Sequence, residues 1–576
     1  MKNPCKILSL VFSVFMLVGC YADKGNYDYT LETMNEITSV TFSPAVVVSA
    51  GGNLIEVKQA LGENDRLRRV EAVVEQTVEK DLSNLDFYWC RVYIDEQGKE
   101  VKDTICSRGY LEFELPVGKP MSYEVMLCII DRTTDLSHYS SFTLSTRPPF
   151  KNSLFVLHGP AGDRKIGNIE IIDDKANIYT DVKTVTKDNN HYENATGFGY
   201  TTYMNIPENL AKIGETKVLT VYAANGETRA YDPYGMKVRF TASQIFKPES
   251  EEFLYRRTVQ TGDPTTLNMY KVVLTDNGEV YIGNYVHALY KPGAGYDGED
   301  TGLHQADYEI TAATITHNRF LLWDAKNGRF LYSAKADPGF AGDEDNSIWS
   351  NYKSMNPLLD ANVKFQGVKS PADMTAVMGF INYRDNYDLK NPFFLFKDEA
   401  AGEYYLYELE AQDIGDGSKA KRVGGAGEDE RPSAYAVVDV KKLAGLTPTD
   451  MSTITYNSWF TTDNLFFAQG NTVYRYNVSN GDKFVVYEAP EGNNVTKIKF
   501  RTEESSPFSA DLGLYLNIVM FNGTNGAIGE VKLNVAADVD EDYAPLLYDK
   551  DNEGNAWGEI KDIQFVNEYV YKVIEY

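Results

Sequence analysis

Residues 464–487 read NLFFAQGNTVYRYNVSNGDKFVVY and contain three short apolar segments separated by two turns. The segments are rich in aromatic and β-branched residues, which favour strands over helices. The pair Asn480-Gly481 indicates a tight hairpin, because a type I′ turn needs positive φ at both central residues. With one more strand ending at Phe500, residues 459–500 supply four strands in about forty residues, the size of one β-propeller blade.

Units of the same kind recur from residue 148 to the end of the chain. They begin near Leu154, Val218, Thr266, Thr316, Phe393 and Leu514, without a fixed period. Divided into blades of roughly 45–65 residues, residues 148–576 predict an all-β propeller of roughly six to eight blades. The segment Ile563-Gln564-Phe565 and residues 569–574 are expected to close the ring by pairing with an early strand. Stacked β-sandwiches and a β-solenoid are the alternatives.

Residues 36–147 show the period of two that is typical of half-buried strands. The segments with this pattern are 87–94, 110–115, 123–131 and 141–146. Short strands with Trp89 on a middle strand predict a β-sandwich of immunoglobulin type, with the tryptophan in its core. The charged residues 62–83 interrupt the pattern and indicate a helical insertion.

The chain begins with a charged segment, an apolar run over residues 7–18 and the tetrapeptide Leu17-Val18-Gly19-Cys20. A run of about a dozen apolar residues is too short to cross a hydrocarbon core as a helix. Residues 1–19 are therefore predicted to be a signal peptide. The tetrapeptide resembles a lipobox, which implies lipidation of Cys20; the alternative is a secretory signal with an incidental cysteine. Residues 20–35 are polar and are expected to form a lipidated tether.

Two segments resemble the PKD-like family of Bacteroidetes lipoproteins. The first is Asp23-Lys24-Gly25-Asn26-Tyr27-Asp28-Tyr29, directly after the lipobox. The second is the strand of residues 123–131, followed by Thr133-Thr134-Asp135. The resemblance implies a PKD-like sandwich in an accessory lipoprotein that works with TonB-dependent importers of the SusC/SusD type. It further implies importer components as partners and an oligosaccharide or oligopeptide as a nutrient ligand.

The formal net charge of the chain is −27 at pH 7. Such a surface repels phosphates, which argues against nucleic acid as a partner and against membrane binding other than through the lipid. The lipid predicts attachment to the outer membrane. Exposure at the cell surface is favoured over the periplasmic face, because exported lipoproteins tend to carry acids after the lipid cysteine and Asp23 supplies one.

Neither the cysteines nor the histidines have the spacing of a metal site. Cys5 lies in the signal peptide, so Cys90, Cys106 and Cys128 remain beside the lipidation residue. Three cysteines allow at most one disulfide in an oxidising compartment, and the sequence does not fix the pair. The histidines are scattered singly along the chain: His138, His158, His191, His287, His304 and His317.

Closely spaced acids could hold calcium in a loop. Such clusters occupy residues 343–345, 538–542 and 549–554. The last lacks the bidentate glutamate of an EF-hand, since Ile560 occupies that position. We expect solvated turns and no cofactor, with calcium as the alternative. The glycine-rich residues 424–427 precede three acids that would oppose a phosphate and are predicted to form a loop.

No nucleophile elbow and no phosphate-binding loop occurs in the sequence. Glycosidase chemistry needs two carboxylates at a set separation, and 83 acidic residues single out no pair. We therefore predict a binding protein without catalytic residues. The alternatives are a propeller-type glycoside hydrolase or polysaccharide lyase, and a purely structural subunit of an importer assembly. For Trp349, Trp459 and Trp557, burial is favoured over stacking on a ligand.

Overall fold

A computed structural model describes most of the chain. The described residues are 35–45, 47–49, 52–60, 66–79, 81–94, 99–115, 121–147, 150, 152–172, 175–186, 190–201, 218–224, 227–247, 255–263, 268–284, 289–290, 308–316, 319–333, 358–360, 369–381, 392–413, 433–457, 460, 463–501 and 514–566. Over these residues helical structure is limited to the short turns Lys183–Thr186, Ala242–Ile245, Pro371–Asp373 and Met451–Thr453. The chain divides into two compact units, Met1–Arg147 and Pro148–Tyr576.

The first unit is a sandwich of two sheets. Its strands are β1 (Ile37–Ser43), β2 (Val47–Ser49), β3 (Gly52–Lys58), β4 (Leu67–Gln76), β5 (Leu85–Ile94), β6 (Glu100–Cys106), β7 (Tyr110–Glu114), β8 (Ser122–Asp131) and β9 (Ser137–Arg147). One sheet has the order β1-β4-β7 and the other the order β2-β3-β9-β8-β5-β6. The core between them contains Val70, Leu127 and the fully buried Trp89, which donates its indole N–H to the Arg108 carbonyl (2.8 Å). The predicted sandwich is confirmed.

The helical insertion predicted for residues 62–83 is wrong. The described part of that segment contains β4, the central strand of the three-stranded sheet. Val70 and Ala72 are buried and alternate with exposed residues such as Glu71. The charged residues therefore occupy the solvent face of a strand, and their period is two rather than 3.6.

The second unit forms seven sheets within the described residues, which we number as blades in chain order. Blades 1 to 3 contain β10 (Ser153–His158), β11 (Lys165–Ile172), β12 (Lys175–Tyr179) and β38 (Ile560–Val566); β13 (Ala195–Thr201), β14 (Val218–Ala223), β15 (Arg229–Asp232) and β16 (Lys237–Thr241); and β17 (Phe246–Lys247), β18 (Tyr255–Asp263), β19 (Asn268–Thr275), β20 (Val280–Asn284) and β21 (Leu289–Tyr290). Blades 4 and 5 contain β22 (Ile310–Thr316), β23 (Arg319–Asp324), β24 (Arg329–Ser333) and β25 (Leu358–Asp360); and β26 (Thr375–Ile381), β27 (Pro392–Asp398), β28 (Glu403–Asp413) and β29 (Ser433–Lys442). Blades 6 and 7 contain β30 (Ile454–Tyr456), β31 (Asn464–Gln469), β32 (Thr472–Asn477) and β33 (Lys483–Glu488); and β34 (Asn494–Phe500), β35 (Tyr515–Phe521), β36 (Gly526–Lys532) and β37 (Leu546–Tyr548).

These blades form a β-propeller whose ring is closed by β38. The innermost strands of successive blades contact one another, as β38 contacts β13 and β22 contacts β26. In blade 1, β38 pairs antiparallel with β10, and Ile563 lies opposite Val156. The propeller, its blade number and closure by Ile563-Gln564-Phe565 are therefore confirmed. Residues 569–574 lie outside the described residues.

The predicted boundaries of the blades are wrong by one strand. Residues 459–500 contain β31 to β33 of blade 6 and β34 of blade 7, whereas blade 6 begins with β30. The predicted starts at Val218 and Phe393 likewise fall in the second strands of their blades. Tight turns mark the hairpins between later strands, as at Gly481 with φ of 80°. The innermost strands carry weaker signals, because they contain small residues such as Gly197.

Candidate functional site

The predicted lipidation residue Cys20 lies outside the described residues and stays a prediction. Within the described ranges, no helix has both the length and the apolar character needed to cross a membrane. The side chains that the structure positions for function therefore belong to the sandwich and the propeller.

The cysteines of the sandwich, Cys90, Cys106 and Cys128, are free thiols. Cys106 lies opposite Trp89, on the core side of the large sheet. Cys90 and Cys128 lie on the other side, where Cys90 is opposite Met126 and therefore diagonal to Cys128. Diagonal residues of an antiparallel pair have Cα atoms about 7–8 Å apart, beyond the usual span of a disulfide. The disulfide that the sequence allowed does not form between these residues.

The inner strands of blades 7, 1 and 2 meet at Asp562 in β38. Its carboxylate accepts hydrogen bonds from Lys497 Nζ in β34 (2.8 Å) and from the Phe198 backbone N–H in β13 (2.8 Å). Burial by itself would raise the pKa of Asp562, but the charges of Lys497 and Lys499 and the hydrogen bonds hold it below its usual range. Asp562 is therefore an ionised tie between three blades.

A second polar cluster lies on the face of blade 7 that meets blade 1. Arg501 makes two hydrogen bonds to the buried carboxylate of Glu530 (2.9 and 2.7 Å), and the Tyr543 hydroxyl donates to the same carboxylate (2.8 Å). The guanidinium also lies 4.1 Å from the centre of the Tyr515 ring and 4.9 Å from that of Phe565 in β38. Glu530 is thus the partner of a cation that ties blade 7 to blade 1.

The acidic residues 549–559, which connect β37 to β38, form a closing loop that is bound to blade 1. The Asp551 carboxylate accepts from two backbone N–H groups of its own turn and from the Thr180 hydroxyl (2.8 Å). The Asn552 side chain accepts from the Ile178 backbone N–H (3.1 Å). These bonds hold the loop against the outer edge of blade 1, so Asp551 has a structural role.

The other acidic clusters follow the same pattern where the structure describes them. Asp538 forms an ion pair with Arg475 (2.6 Å), and Asp540 forms one with Lys532 (3.2 Å). Residues 343–345 and the glycine-rich residues 424–427 lie outside the described part of the chain. Among the described residues, no group of three or more His, Cys, Asp or Glu side chains could hold a metal ion.

His158, at the end of β10, makes a hydrogen bond through each ring nitrogen. Nε2 lies 2.7 Å from the Thr180 carbonyl, and Nδ1 lies 3.1 Å from the Gly558 backbone nitrogen. A carbonyl only accepts and a backbone N–H only donates, so Nε2 carries the proton and Nδ1 accepts. The ring packs edge-to-face on Trp557 at 5.1 Å and is 4% exposed. This histidine therefore joins blade 1 to the closing loop.

The remaining histidines and tryptophans give no second centre in the described residues. His138 and His191 lie at or near the surface of the protein. Trp557 is 1% exposed, which confirms its expected burial. The other predicted positions lie outside the described residues: Trp349, Trp459, His287, His304 and His317.

An open cleft of about 330 Å³ lies at one end of blade 7. The connection from β33 to β34 contributes Asn493, and the hairpin between β35 and β36 contributes Asn522 and Asn525. The closing loop contributes Asp549 and Lys550. The cleft therefore lies where outer strands connect to the inner strand of the next blade, and one of its walls is the loop that His158 holds.

The rim of the cleft presents both hydrogen-bond donors and acceptors. The Asn522 carbonyl oxygen accepts hydrogen bonds from two backbone N–H groups of its turn, and its NH₂ group remains as a donor. Asn493 donates to the Pro490 carbonyl (3.2 Å), which leaves its own oxygen as an acceptor. Within the described residues, the Asn525 side chain makes no hydrogen bond, and Asp549 and Lys550 carry opposite charges. The rim thus suits an uncharged polar ligand.

Sequence reasoning missed the cleft asparagines and His158. Asparagine is common in hairpin turns for conformational reasons, so Asn522 and Asn525 read as turn residues. A lone histidine gives no signal until Thr180 and Gly558 are placed beside it. The only usable signal was the crowding of asparagines in the turns around blade 7.

Several solved structures are similar to the chain at low sequence identity. A quinonprotein alcohol dehydrogenase-like protein from Bacteroides thetaiotaomicron is 9% identical, with a TM-score of 0.36, over 89% of this chain and 96% of that one. An auxiliary nutrient binding protein from the same organism is 10% identical, with a TM-score of 0.24, over 80% and 92%. The WD40 domain of SCAP from fission yeast is 10% identical, with a TM-score of 0.29, over 72% and 94%.

A comparison with the curated proteins finds no match. A model of the PKD-like family matches residues 20–199. This match includes both segments on which the resemblance rests and continues past Arg147 into β13. The N-terminal part of the chain is therefore PKD-like, as the sequence predicted.

Proposed function

We propose that the protein is an accessory lipoprotein of the bacterial outer membrane that binds an oligosaccharide or oligopeptide in the cleft of blade 7. The lipid on Cys20 holds it at the cell surface, beside an importer of the SusC/SusD type. The observation that carries the binding role is the amide-rimmed cleft. The family match over residues 20–199 supports the lipoprotein setting.

The chemistry of the cleft suits a polar oligomer. Its amides can donate to and accept from hydroxyl or peptide groups, and Leu547 and Ala527 provide apolar contact beside them. Its volume of about 330 Å³ is at the small end of ligand sites, enough for a few units of a longer chain. Because the cleft is open, the rest of an oligomer can extend beyond it.

The walls of the cleft are fixed before any ligand arrives. Asn522 organises the hairpin wall through two backbone hydrogen bonds, and Asp551 does the same for the closing loop. Binding to fixed walls orders few groups, so less of the interaction free energy is lost. A tethered protein also works at high effective concentration near its importer, so modest affinity suffices.

We propose binding without catalysis as the role of this site. The buried carboxylates are each paired with a cation: Asp562 with Lys497 of β34, and Glu530 with Arg501 directly after β34. The pKa of Asp562 is held below its usual range, although burial alone would raise it, because of the charges of Lys497 and Lys499, whereas a general acid needs a raised pKa.

The proposed setting is tested by extraction of the full lipidated chain from native membranes in mild detergent. We expect importer components to co-purify and a saccharide or peptide to be released on denaturation. Recovery of the protein alone, with glycan-cleaving activity, would contradict the proposal.

The proposed site is tested by calorimetric titration of the released ligand into an Asn525→Ala variant. Loss of one hydrogen-bonding side chain should weaken binding roughly five- to tenfold, while the melting temperature stays unchanged. Asn471→Ala is the matched control, because Asn471 lies in the corresponding turn of blade 6 and does not line the cleft. Equal affinity for both variants and the wild type would place the ligand elsewhere.

A further inference from the structure

The cleft shares a wall with the hydrogen bonds of His158. The closing loop contributes Asp549 and Lys550 to the cleft, and a few residues later Gly558 donates its backbone N–H to His158 Nδ1. Gly526, at the opposite wall, donates its N–H to the Trp557 carbonyl (3.1 Å). The position of Trp557 and Gly558 therefore sets the distance between two walls of the cleft.

Close packing leaves Trp557 and Gly558 little freedom to rearrange. A Cβ on Gly526 would lie 2.4 Å from the Gly558 carbonyl oxygen, and one on Gly558 would lie 3.0 Å from the Gly159 Cα. Trp557 also fills the space above Gly167, where a Cβ would lie 2.2 Å from the indole ring. Because these segments are in close contact, a displacement of Gly558 moves the cleft wall with it.

The hydrogen bond between His158 and Gly558 depends on pH. Nδ1 of His158 must be unprotonated to accept from Gly558, whereas an added proton would turn it into a donor facing a donor. Burial lowers the pKa of His158 below its usual 6.5, only partly offset by the bond to the Thr180 carbonyl. The ring is therefore neutral above about pH 6.5, and its bond to Gly558 is lost as pH falls towards the lowered pKa.

Charged groups around the ring come from each neighbouring element. β10 itself supplies none besides His158. Lys165 of β11 disfavours a second positive charge, and Asp181 after β12 favours it. The closing loop carries Asp551, which is bound to Thr180, and Glu559, whose charge acts on Arg164.

We propose that His158 is a latch that holds the cleft wall at neutral pH and releases it in mild acid. Protonation of Nδ1 breaks the bond to Gly558, loosens residues 549–558 and lowers the occupancy of the cleft. This regulatory role rests on the proposed function only in its last step, because release of the loop does not require a ligand.

Hydrogen–deuterium exchange of the full chain tests the latch without a ligand. After correction for intrinsic rates, exchange of residues 551–558 should rise on the order of tenfold between about pH 7.5 and about pH 5, while β35 stays protected. Unchanged loop protection across this range would overturn the proposal. Failure of ligand binding with a pH-sensitive loop would refute the proposed function alone.

Two variants separate the latch from a general effect of acid. His158→Asn places an oxygen near the Nδ1 position and does not titrate, so the loop should stay protected at both pH values. His158→Gln keeps a donor for Thr180 and loses the acceptor, so the loop should exchange quickly at both. A pH-dependent loop in His158→Asn would show that another group titrates. If either variant fails to fold, NMR of histidine-labelled wild type decides: a His158 ring that titrates without a shift of the Gly558 amide overturns the latch.

Discussion

The two faces of blade 7 are built from the same strands and pack by different means. Towards blade 6, Ile498, Phe500 and Leu516 belong to a wholly apolar cluster. Towards blade 1, the alternate residues of β34 are Lys497 and Lys499. These lysines and their partners form a polar stripe across a smaller apolar contact between the two blades. Blade 6 precedes blade 7 in the chain, whereas β38 joins blade 1 only when the ring closes. Non-directional packing suffices between blades 6 and 7, and we infer that directional charge pairs fix the position of the closing strand β38.

The largest expected effect is on the apolar face. Phe500→Ala removes a ring that is 1% exposed and lies 5.1 Å from Phe466 and 5.6 Å from Phe460, centre to centre. We expect the free energy of unfolding to fall by about 3–5 kcal/mol, with little dependence on salt. Urea denaturation at two salt concentrations measures this. Phe484→Ala is the control, because Phe484 is 47% exposed and should cost well under half as much.

The second prediction concerns the charged contacts between blade 7 and blade 1. Asp562→Asn keeps the shape but leaves one oxygen for two donors, Lys497 Nζ and the Phe198 N–H, so one hydrogen bond is lost. We expect a loss of about 2–4 kcal/mol at neutral pH. Because the pKa of Asp562 is lowered in the fold, its contribution is complete above the ordinary value of 3.8 and is lost as pH falls below it. The variant should therefore lose less stability than the wild type on acidification.

A double-mutant cycle with Lys497→Met sharpens this second prediction. Lys497 is 26% exposed, so its charge can be hydrated once the partner is gone, whereas Asp562 cannot be hydrated in the same way. Lys497→Met should therefore cost more than Asp562→Asn. Strictly additive losses of unfolding free energy in the cycle would show that the charges of Lys497 and Asp562 are not coupled.

The sequence predicted the contacts that local pattern encodes. Trp89, the central hairpins of the blades and the closing strand around Ile563 follow from alternation and turn chemistry. The blade boundaries were displaced by one strand, because the inner strand of each blade is defined by its neighbours in the ring and not by a turn of its own. The displacement is the same at Val218 and Phe393, which is the offset expected when the last strand completes the first blade.

The candidate site was beyond reach of the sequence for a different reason. Asn493, Asn525 and Lys550 come from three loops, and each residue type is ordinary in a turn. The pairing of β37 with β36, in which Tyr548 lies opposite Ile528, brings the start of the closing loop beside the hairpin of blade 7. His158 and Gly558 are 400 positions apart in the chain, so their bond depends on closure of the ring. The cleft therefore results from the arrangement of strands in blade 7, and the bond that holds one of its walls results from closure of the ring, rather than from any local motif.

The smallest expected effect tests whether the polar stripe serves stability at all. Asn517 of β35 is 1% exposed, lies between Lys499 and Glu530 across the sheet, and has no hydrogen-bond partner for either amide atom within the described residues. An unpaired buried amide is costly, so Asn517→Leu should stabilise the protein by about 1 kcal/mol. On the same strand but facing blade 6, Ile518→Asn should cost about 2–4 kcal/mol, because it places an unpaired amide in the apolar cluster. Thermal unfolding of the two variants measures both signs. A loss of stability in Asn517→Leu would mean that the amide is satisfied by a buried water molecule. The polar stripe would then contribute to stability, and the two faces of blade 7 would differ in chemistry but not in their contribution to stability.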